Sequence, residues 1–147
     1  MNPEDFLNTA LDLLQQNKRE ADLRTCVSRG YYALYHMLSQ KLLADIPLTL
    51  LQASGLGGKA QIGHERLASV LKGASHIKLK MMGGFLDNLR IARLKADYNL
   101  SRPLSHATAT IEHENARILR DQLQQFGLSN LSRIVKQDLE SIFGSTH

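Results

Sequence analysis

The chain contains no tryptophan and only one cysteine, and proline, valine and aromatic side chains are scarce. A single cysteine, Cys26, excludes an intramolecular disulfide and a cysteine-rich zinc site, and a reducing compartment is the simplest expectation. Strands prefer β-branched and aromatic residues, so their scarcity beside abundant leucine favours helices.

Long apolar runs are also missing, since no stretch approaches the ~20 residues that a membrane span needs. Residues 2–5 are polar and acidic where a signal peptide would be basic. We therefore expect a cytoplasmic protein without membrane association. The net charge of +4 favours an anionic partner such as RNA, although many other proteins carry as much charge.

Apolar residues recur at helical spacing and predict helices over about residues 3–18, 20–44, 63–72, 85–98, 103–126 and 128–147. Residues 48–60 are a predicted loop with room for one helical turn. A second predicted loop carries His76, Lys78 and Lys80 and ends at Gly83 and Gly84. The prediction is an all-α, up-and-down bundle of about five to six helices, a single domain over 1–147 in which 128–147 form a C-terminal amphipathic helix.

The second predicted helix carries three kinds of side chain on different sides. Its apolar stripe steps by threes and fours through Leu23, Val27, Tyr31, Leu34, Leu38 and Leu42. A small-residue edge, which would let another helix approach closely, consists of Cys26, Gly30, Ala33 and Met37. Arg29, Tyr32 and His36 are spaced three and four residues apart, so they form a polar stripe on one face.

This polar stripe suits RNA cleavage by attack of the ribose 2′-hydroxyl on the neighbouring phosphate. A histidine near pH 7 can take or give a proton, and an arginine can hold the phosphate and stabilise its developing charge. The scheme requires no metal, and we expect no cofactor. The alternative is that Arg29 and His36 are ordinary surface residues and that Tyr32 packs.

Other candidate sites are weaker. The pairs His64–Glu65 and His113–Glu114 each lack the second histidine of a zinc-binding helix. The glycine-rich stretch ending at Lys59 lacks the spacing and the preceding strand of a phosphate loop. We therefore predict no metal site.

Three segments resemble HEPN domains (higher eukaryotes and prokaryotes nucleotide-binding). Residues 28–36, SRGYYALYH, resemble the central motif, an Arg separated from a His by four to six residues; here six intervene. Residues 89–98, LRIARLKADY, are similar to the Arg-x-x-Ala-Asp-Tyr stretch of the bacterial subgroup. Residues 63–67, GHERL, resemble the start of the helix between them. Order and spacing agree from about residue 5 to residue 126.

The resemblance implies a usually dimeric bundle, and many family members are metal-independent endoribonucleases that act as toxins or defence effectors. Two facing motifs then build a composite cleft, in which Arg29 would hold the phosphate, His36 would act in proton transfer or stabilisation, and Tyr32 would support the site. Leu38 departs from the pattern, since toxins paired with a small nucleotidyltransferase often carry there a tyrosine that is adenylylated. That form of control is accordingly in question.

Arg90, Arg93 and Asp97 are the candidate substrate-binding residues, which would shape or charge the cleft. The alternative for Arg93 and Asp97 is an ion pair on the helix surface, because they are four residues apart. The expected partners are RNA, a second copy of the chain, and an antitoxin or nucleotidyltransferase. The rival hypothesis is a non-catalytic helical binding or regulatory module that partners a nucleotidyltransferase or another protein.

Overall fold

The computed structural model describes residues 2–16, 19–58 and 61–144, and within them the chain is an all-α helical bundle. Its seven helices are α1 (Pro3–Gln16), α2 (Glu20–Asp45), α3 (Leu48–Ala53), α4 (His64–Lys72), α5 (Ile77–Tyr98), α6 (His106–Phe126) and α7 (Leu128–Phe143). An antiparallel ladder of two residues a side joins β1 (Gly57–Gly58) to β2 (Gln61–Ile62). The predicted fold class is confirmed, and α3 occupies the segment where one helical turn was expected.

Three predicted boundaries lie outside the described residues. They are the end of the first helix at Asn17 and Lys18, the end of the glycine-rich loop at Lys59, and the continuation of the last helix beyond Gly144. Of the helices that the structure describes, none has the length and apolar character to cross a membrane.

The chain forms two compact units, and three helices contribute to both of them. The first unit consists of Met1–His36 and Phe85–Asp121, which include α1, the first part of α2, the later part of α5 and most of α6. The second consists of Met37–Gly84 and Gln122–His147. All six residues that the sequence proposes for catalysis or substrate binding belong to the first unit.

The first unit has a core of small and branched apolar side chains. The buried cluster contains Ala10, Leu14, Leu23, Cys26, Val27, Ala96 and Ala109, with Leu13, Ala92 and Leu104 packed against it. Gly30 on α2 lies so close to α6 that a Cβ there would meet Ala116 Cβ at 3.3 Å. The predicted small-residue edge of α2 thus allows α6 to approach closely, as expected.

Helix α2 is buried along its whole apolar stripe and its whole small-residue edge, as predicted. Tyr35 and Ser39 are buried as well, although they belong to neither set. The helix therefore exposes only a narrow arc, and the polar stripe must lie within or beside that arc.

The predicted loop that ends at Gly83 and Gly84 is wrong from Ile77 onward, where α5 begins. His76 Nδ1 accepts a hydrogen bond from the Lys78 N–H at 3.1 Å, which satisfies one of the free donors at the helix start. Lys78 and Lys80 consequently lie on a helix, and not in a basic loop.

Gly83 and Gly84 lie inside α5, although the sequence analysis used them to end a loop. The reason at Gly83 is close packing within the second unit. A Cβ at that position would stand 2.6 Å from the backbone nitrogen of Lys72 and 2.8 Å from Leu71 Cβ, at the end of α4. The glycine is needed for the approach of two helices and marks no turn.

Helix α6 also begins later than predicted, at His106 and not at Pro103. The hydroxyl of Ser105 accepts a hydrogen bond from the Thr108 N–H at 3.0 Å, so Ser105 caps the helix. The side chain of Glu20 binds the Leu104 N–H at 2.8 Å and holds the preceding segment in a non-helical path.

The two adjacent glycines of α5 provide a matched pair of substitutions. We expect Gly83→Ala to lower the free energy of unfolding by about 1–3 kcal/mol, since the new methyl group clashes with α4 backbone. Gly84→Ala should raise it by about 0.5–1 kcal/mol, because nothing lies within 4 Å and alanine favours a helix. Urea unfolding of both variants tests this, and equal stabilities would contradict the packing described for Gly83.

Candidate functional site

The polar stripe predicted on α2 is present, and its members differ in exposure. Arg29 is exposed, whereas Tyr32 and His36 are partly buried. The rings of Tyr32 and His36 stack one helical turn apart, with centroids at 5.9 Å and an interplanar angle of 24°. None of the three side chains is enclosed in the hydrophobic core.

Phe6, on α1, connects the two ends of the stripe. Its ring stacks on the His36 imidazole with centroids 5.2 Å apart and planes inclined by 25°. The Arg29 guanidinium carbon lies 5.5 Å from the centroid of the same ring, within cation–π range. We call Phe6, Arg29, Tyr32 and His36 the ring cluster.

Phe6 is one of the apolar residues that recur at helical spacing in the first predicted helix, and nothing in the sequence pattern marks it as part of a site. Amphipathic spacing shows which face of a helix is apolar, but it does not show which side chain of another helix that face will meet. The role of Phe6 is therefore a tertiary contact that the sequence pattern left undetected.

The surroundings of His36 are aromatic and mostly apolar. Tyr35 meets the imidazole edge-on at 5.2 Å, in addition to the rings of Phe6 and Tyr32. Burial disfavours the charged imidazolium and lowers the pKa of His36 below its ordinary value. The neutral form, which can accept a proton, is thereby favoured near pH 7.

Arg29 differs from Arg24, Arg90 and Arg93, each of which donates a hydrogen bond to another group of the protein. Within the described part of the chain its guanidinium makes no hydrogen bond and no ion pair, and its contact is with the face of Phe6. Its N–H donors are consequently open to an external anion.

A polar network from α5 supports Tyr32. Arg93 Nη2 donates a hydrogen bond to the Tyr32 hydroxyl at 2.5 Å, and Arg93 Nε lies 3.1 Å from Asp97 Oδ2 in an ion pair. The Ser28 hydroxyl donates to the same carboxylate oxygen at 3.3 Å. The structure thus brings two of the predicted substrate-binding residues to the stripe, Arg93 as a partner of Tyr32 and Asp97 as a partner of Arg93.

Arg93 is largely enclosed, since only 12% of its side chain is exposed. Its guanidinium carbon lies 5.0 Å from the Tyr32 ring centroid, 6.0 Å from that of Tyr31 and 5.7 Å from that of Tyr98. Burial opposes its charge, but the hydrogen bond to Tyr32 and the charge of Asp97 raise the pKa of Arg93 above its ordinary value. The ion pair weighed for Arg93 and Asp97 is therefore present, but it is largely enclosed and Arg93 has Tyr32 as a further partner.

Arg90, the third predicted substrate-binding residue, donates through Nε to Asp87 Oδ1 at 2.9 Å on its own helix. Both side chains are less than one-fifth exposed. The charge of Arg90 also acts on Tyr31, where it partly offsets the burial that raises the pKa of that tyrosine. Substrate binding by Arg90, Arg93 and Asp97 stays a prediction.

Arg24 is a further residue that sequence analysis missed. Its guanidinium donates to the backbone carbonyls of Lys95 (3.4 Å), Ala96 (2.8 Å), Asn99 (3.3 Å) and Arg102 (2.5 Å). It also binds Glu20 Oε1 at 2.9 Å, so most of its N–H donors are occupied. These bonds satisfy carbonyls in the last turn of α5, which carries Asp97, and in the segment that follows the helix. Every residue has a backbone carbonyl, so the sequence does not show which carbonyls an arginine will bind. Arg24 was for this reason not identified from the sequence.

Metal-ligand candidates are sparse among residues 2–16, 19–58 and 61–144, where no group of three or more His, Cys, Asp or Glu side chains is placed to hold an ion. His113 is only 8% exposed, and burial lowers the pKa of its imidazole. Burial thus favours the neutral form of this core histidine.

The environment of His36 can be tested directly by removing the stacked ring. In Phe6→Ala, water reaches the imidazole and the charged form is no longer disfavoured, so the pKa of His36 should rise toward its ordinary value. NMR titration of the His36 ring protons, assigned by their loss in His36→Ala, measures the shift.

Phe85→Ala is the matched control, since Phe85 is 41% exposed in the same unit and has no ring contact with His36. Its His36 pKa should equal that of the unmodified protein. An unchanged pKa in Phe6→Ala would show that Phe6 does not shield the imidazole.

Comparison with family models, with curated proteins and with solved structures gives no match to this chain. The likeness to HEPN domains rests on the three sequence segments and stays a prediction. Independently of that likeness, the geometry places Arg29, which has no polar partner among the described residues, and the partly buried imidazole of His36 against the same aromatic ring.

Proposed function

We propose that this protein is a metal-independent endoribonuclease of HEPN type, in which Arg29 and His36 act on one phosphodiester of bound RNA. The observation that carries the proposal is that both side chains border the Phe6 ring on the accessible arc of α2. A cation and an imidazole within one cluster are the groups that attack by a ribose 2′-hydroxyl requires.

Arg29 binds the scissile phosphate in this proposal. Its guanidinium has no polar partner in the described residues, so a phosphate displaces no existing protein bond. Two parallel N–H donors match two phosphate oxygens and stabilise the charge that grows on them in the transition state. The cation–π contact with Phe6 limits the positions that the guanidinium can adopt.

His36 accepts the proton of the 2′-hydroxyl as its oxygen attacks phosphorus. The lowered pKa supports this role because the imidazole is then neutral near pH 7. The attack breaks the bond to the 5′ oxygen and leaves a 2′,3′-cyclic phosphate. The departing 5′ oxygen takes a proton from water in the cleft between two copies, and His36 afterwards releases the proton that it accepted to the solvent.

Tyr32 positions the imidazole in the proposed site. It stacks on His36, and its hydroxyl is fixed by Arg93, which is itself held by Asp97. These residues prepare the site through the orientation of His36, and the proposal assigns Arg93 no contact with the scissile phosphate.

The test is incubation of the purified protein with single-stranded RNA in excess chelator. We expect cleavage that yields 2′,3′-cyclic phosphate ends and that falls by about 100-fold or more in Arg29→Ala and in His36→Ala, since each variant loses a group that acts in the transition state. Light scattering on the same samples should give the mass of a dimer.

Arg133→Ala serves as the control for loss of one surface arginine, because Arg133 is exposed on α7. Its activity should equal that of the unmodified protein, and circular dichroism should show that every variant is folded. Equal cleavage by His36→Ala and the unmodified protein would overturn the proposal. Absence of cleavage by every form would favour the non-catalytic binding module.

A further inference from the structure

A cavity of about 380 Å³ opens in the first unit, and none of its lining residues belongs to the ring cluster. Its walls come from α2, α5, α6 and the segment between α5 and α6. The volume is near the lower end of the range for small-molecule sites, roughly 300–1,000 Å³. It suits a molecule of amino-acid size better than a nucleotide.

Part of the cavity wall is apolar. Val27 belongs to the buried cluster of this unit, and Ala92 and Leu104 pack against that cluster. Ile91 also lines the cavity and is 38% exposed. The cavity therefore offers a ligand an apolar surface that is now in contact with solvent.

Arg24, one of the charged lining residues, is already bound to other groups of the protein. The Arg24 guanidinium binds Glu20 and four backbone carbonyls, so it contributes wall and offers a ligand few donors. The charges open to a ligand are those of Lys95, Arg102 and Glu112.

Lys95 and Glu112 carry opposite charges on different helices. Lys95 is exposed, whereas the Glu112 carboxylate is partly buried and is hydrogen-bonded by Asn115. The charge of Lys95 acts on Glu112, yet in the described part of the chain the two side chains form no ion pair with each other. A carboxylate and an ammonium thus border one apolar cavity without neutralising each other.

We propose that this cavity binds a small zwitterion with an apolar side group, of the kind that an apolar α-amino acid represents. Its ammonium group faces Glu112, its carboxylate faces Lys95, and its side group covers Val27 and Ile91. The partial burial of Glu112 strengthens its attraction for an ammonium ion relative to that of a fully solvated carboxylate. The proposal is independent of RNA cleavage.

The test uses three probes that share a phenyl ring and differ in charge: phenylalanine, phenethylamine and 3-phenylpropanoate. Titration of the full chain, followed by calorimetry and amide NMR shifts, should give the tightest binding for phenylalanine. Each singly charged probe should bind about tenfold more weakly, since it lacks one charge-assisted contact. Equal affinities for the three probes would overturn the proposal. Absence of phenylalanine binding at a concentration of about 10 mM would overturn it as well.

Charge-removing variants assign the two contacts. Glu112→Gln should weaken phenylalanine and phenethylamine by about tenfold and leave 3-phenylpropanoate unchanged, and Lys95→Gln should weaken phenylalanine and 3-phenylpropanoate instead. Glu140→Gln, at an exposed carboxylate of α7, should change none of the three affinities. Equal loss of all three probes in both cavity variants would point to a general distortion and would refute the assigned contacts.

Discussion

The burial of α2 on most of its circumference is the constraint on which the candidate site depends. Its apolar stripe and small-residue edge are both buried, and only a narrow arc that includes Arg29 is left exposed. At about 100° per residue, the polar side chains that follow at three- and four-residue spacing can leave the helix only near that arc. The ring cluster is the consequence, since Phe6 of α1 covers one side of the arc and contacts both Arg29 and His36.

Three arginines near this arc differ in whether their charge is compensated by other groups of the fold. Arg24 binds carbonyls at the end of α5, and Arg93 binds the Tyr32 hydroxyl and the Asp97 carboxylate, so both charges are compensated within the fold. Among the residues that the structure describes, Arg29 contacts only the face of Phe6 and has no polar partner. A guanidinium held over a ring keeps its N–H donors in the plane, where they remain available to a planar or tetrahedral anion. Residue type alone cannot make this distinction, because all three are arginines on helices.

Most of the helical fold could be predicted from the sequence, because hydrophobic spacing directly reflects which side of a helix is buried. The failure at α5 has a local cause: a glycine can mark a turn or a close approach, and only the position of α4 shows that Gly83 serves the second purpose. The site was predicted in part. Spacing identified the stripe on one helix, whereas the contribution of Phe6 depends on how α1 packs against α2, a contact between elements that no single-helix pattern contains.

Neighbouring residues of α2 and α5 contribute to two different features, the polar network that supports Tyr32 and the cavity. On α2, Val27 lines the cavity while Ser28 donates to Asp97; on α5, Ala96 lines the cavity while the adjacent Asp97 pairs with Arg93. Successive side chains of a helix point about 100° apart, so the same stretch of backbone carries residues of the cavity wall and residues of the polar network. A bulky residue introduced to fill the cavity would displace that shared backbone, whereas removal of a charge leaves the backbone in place. Charge substitutions are therefore the changes that can separate the proposed ligand binding in the cavity from the proposed chemistry at the ring cluster.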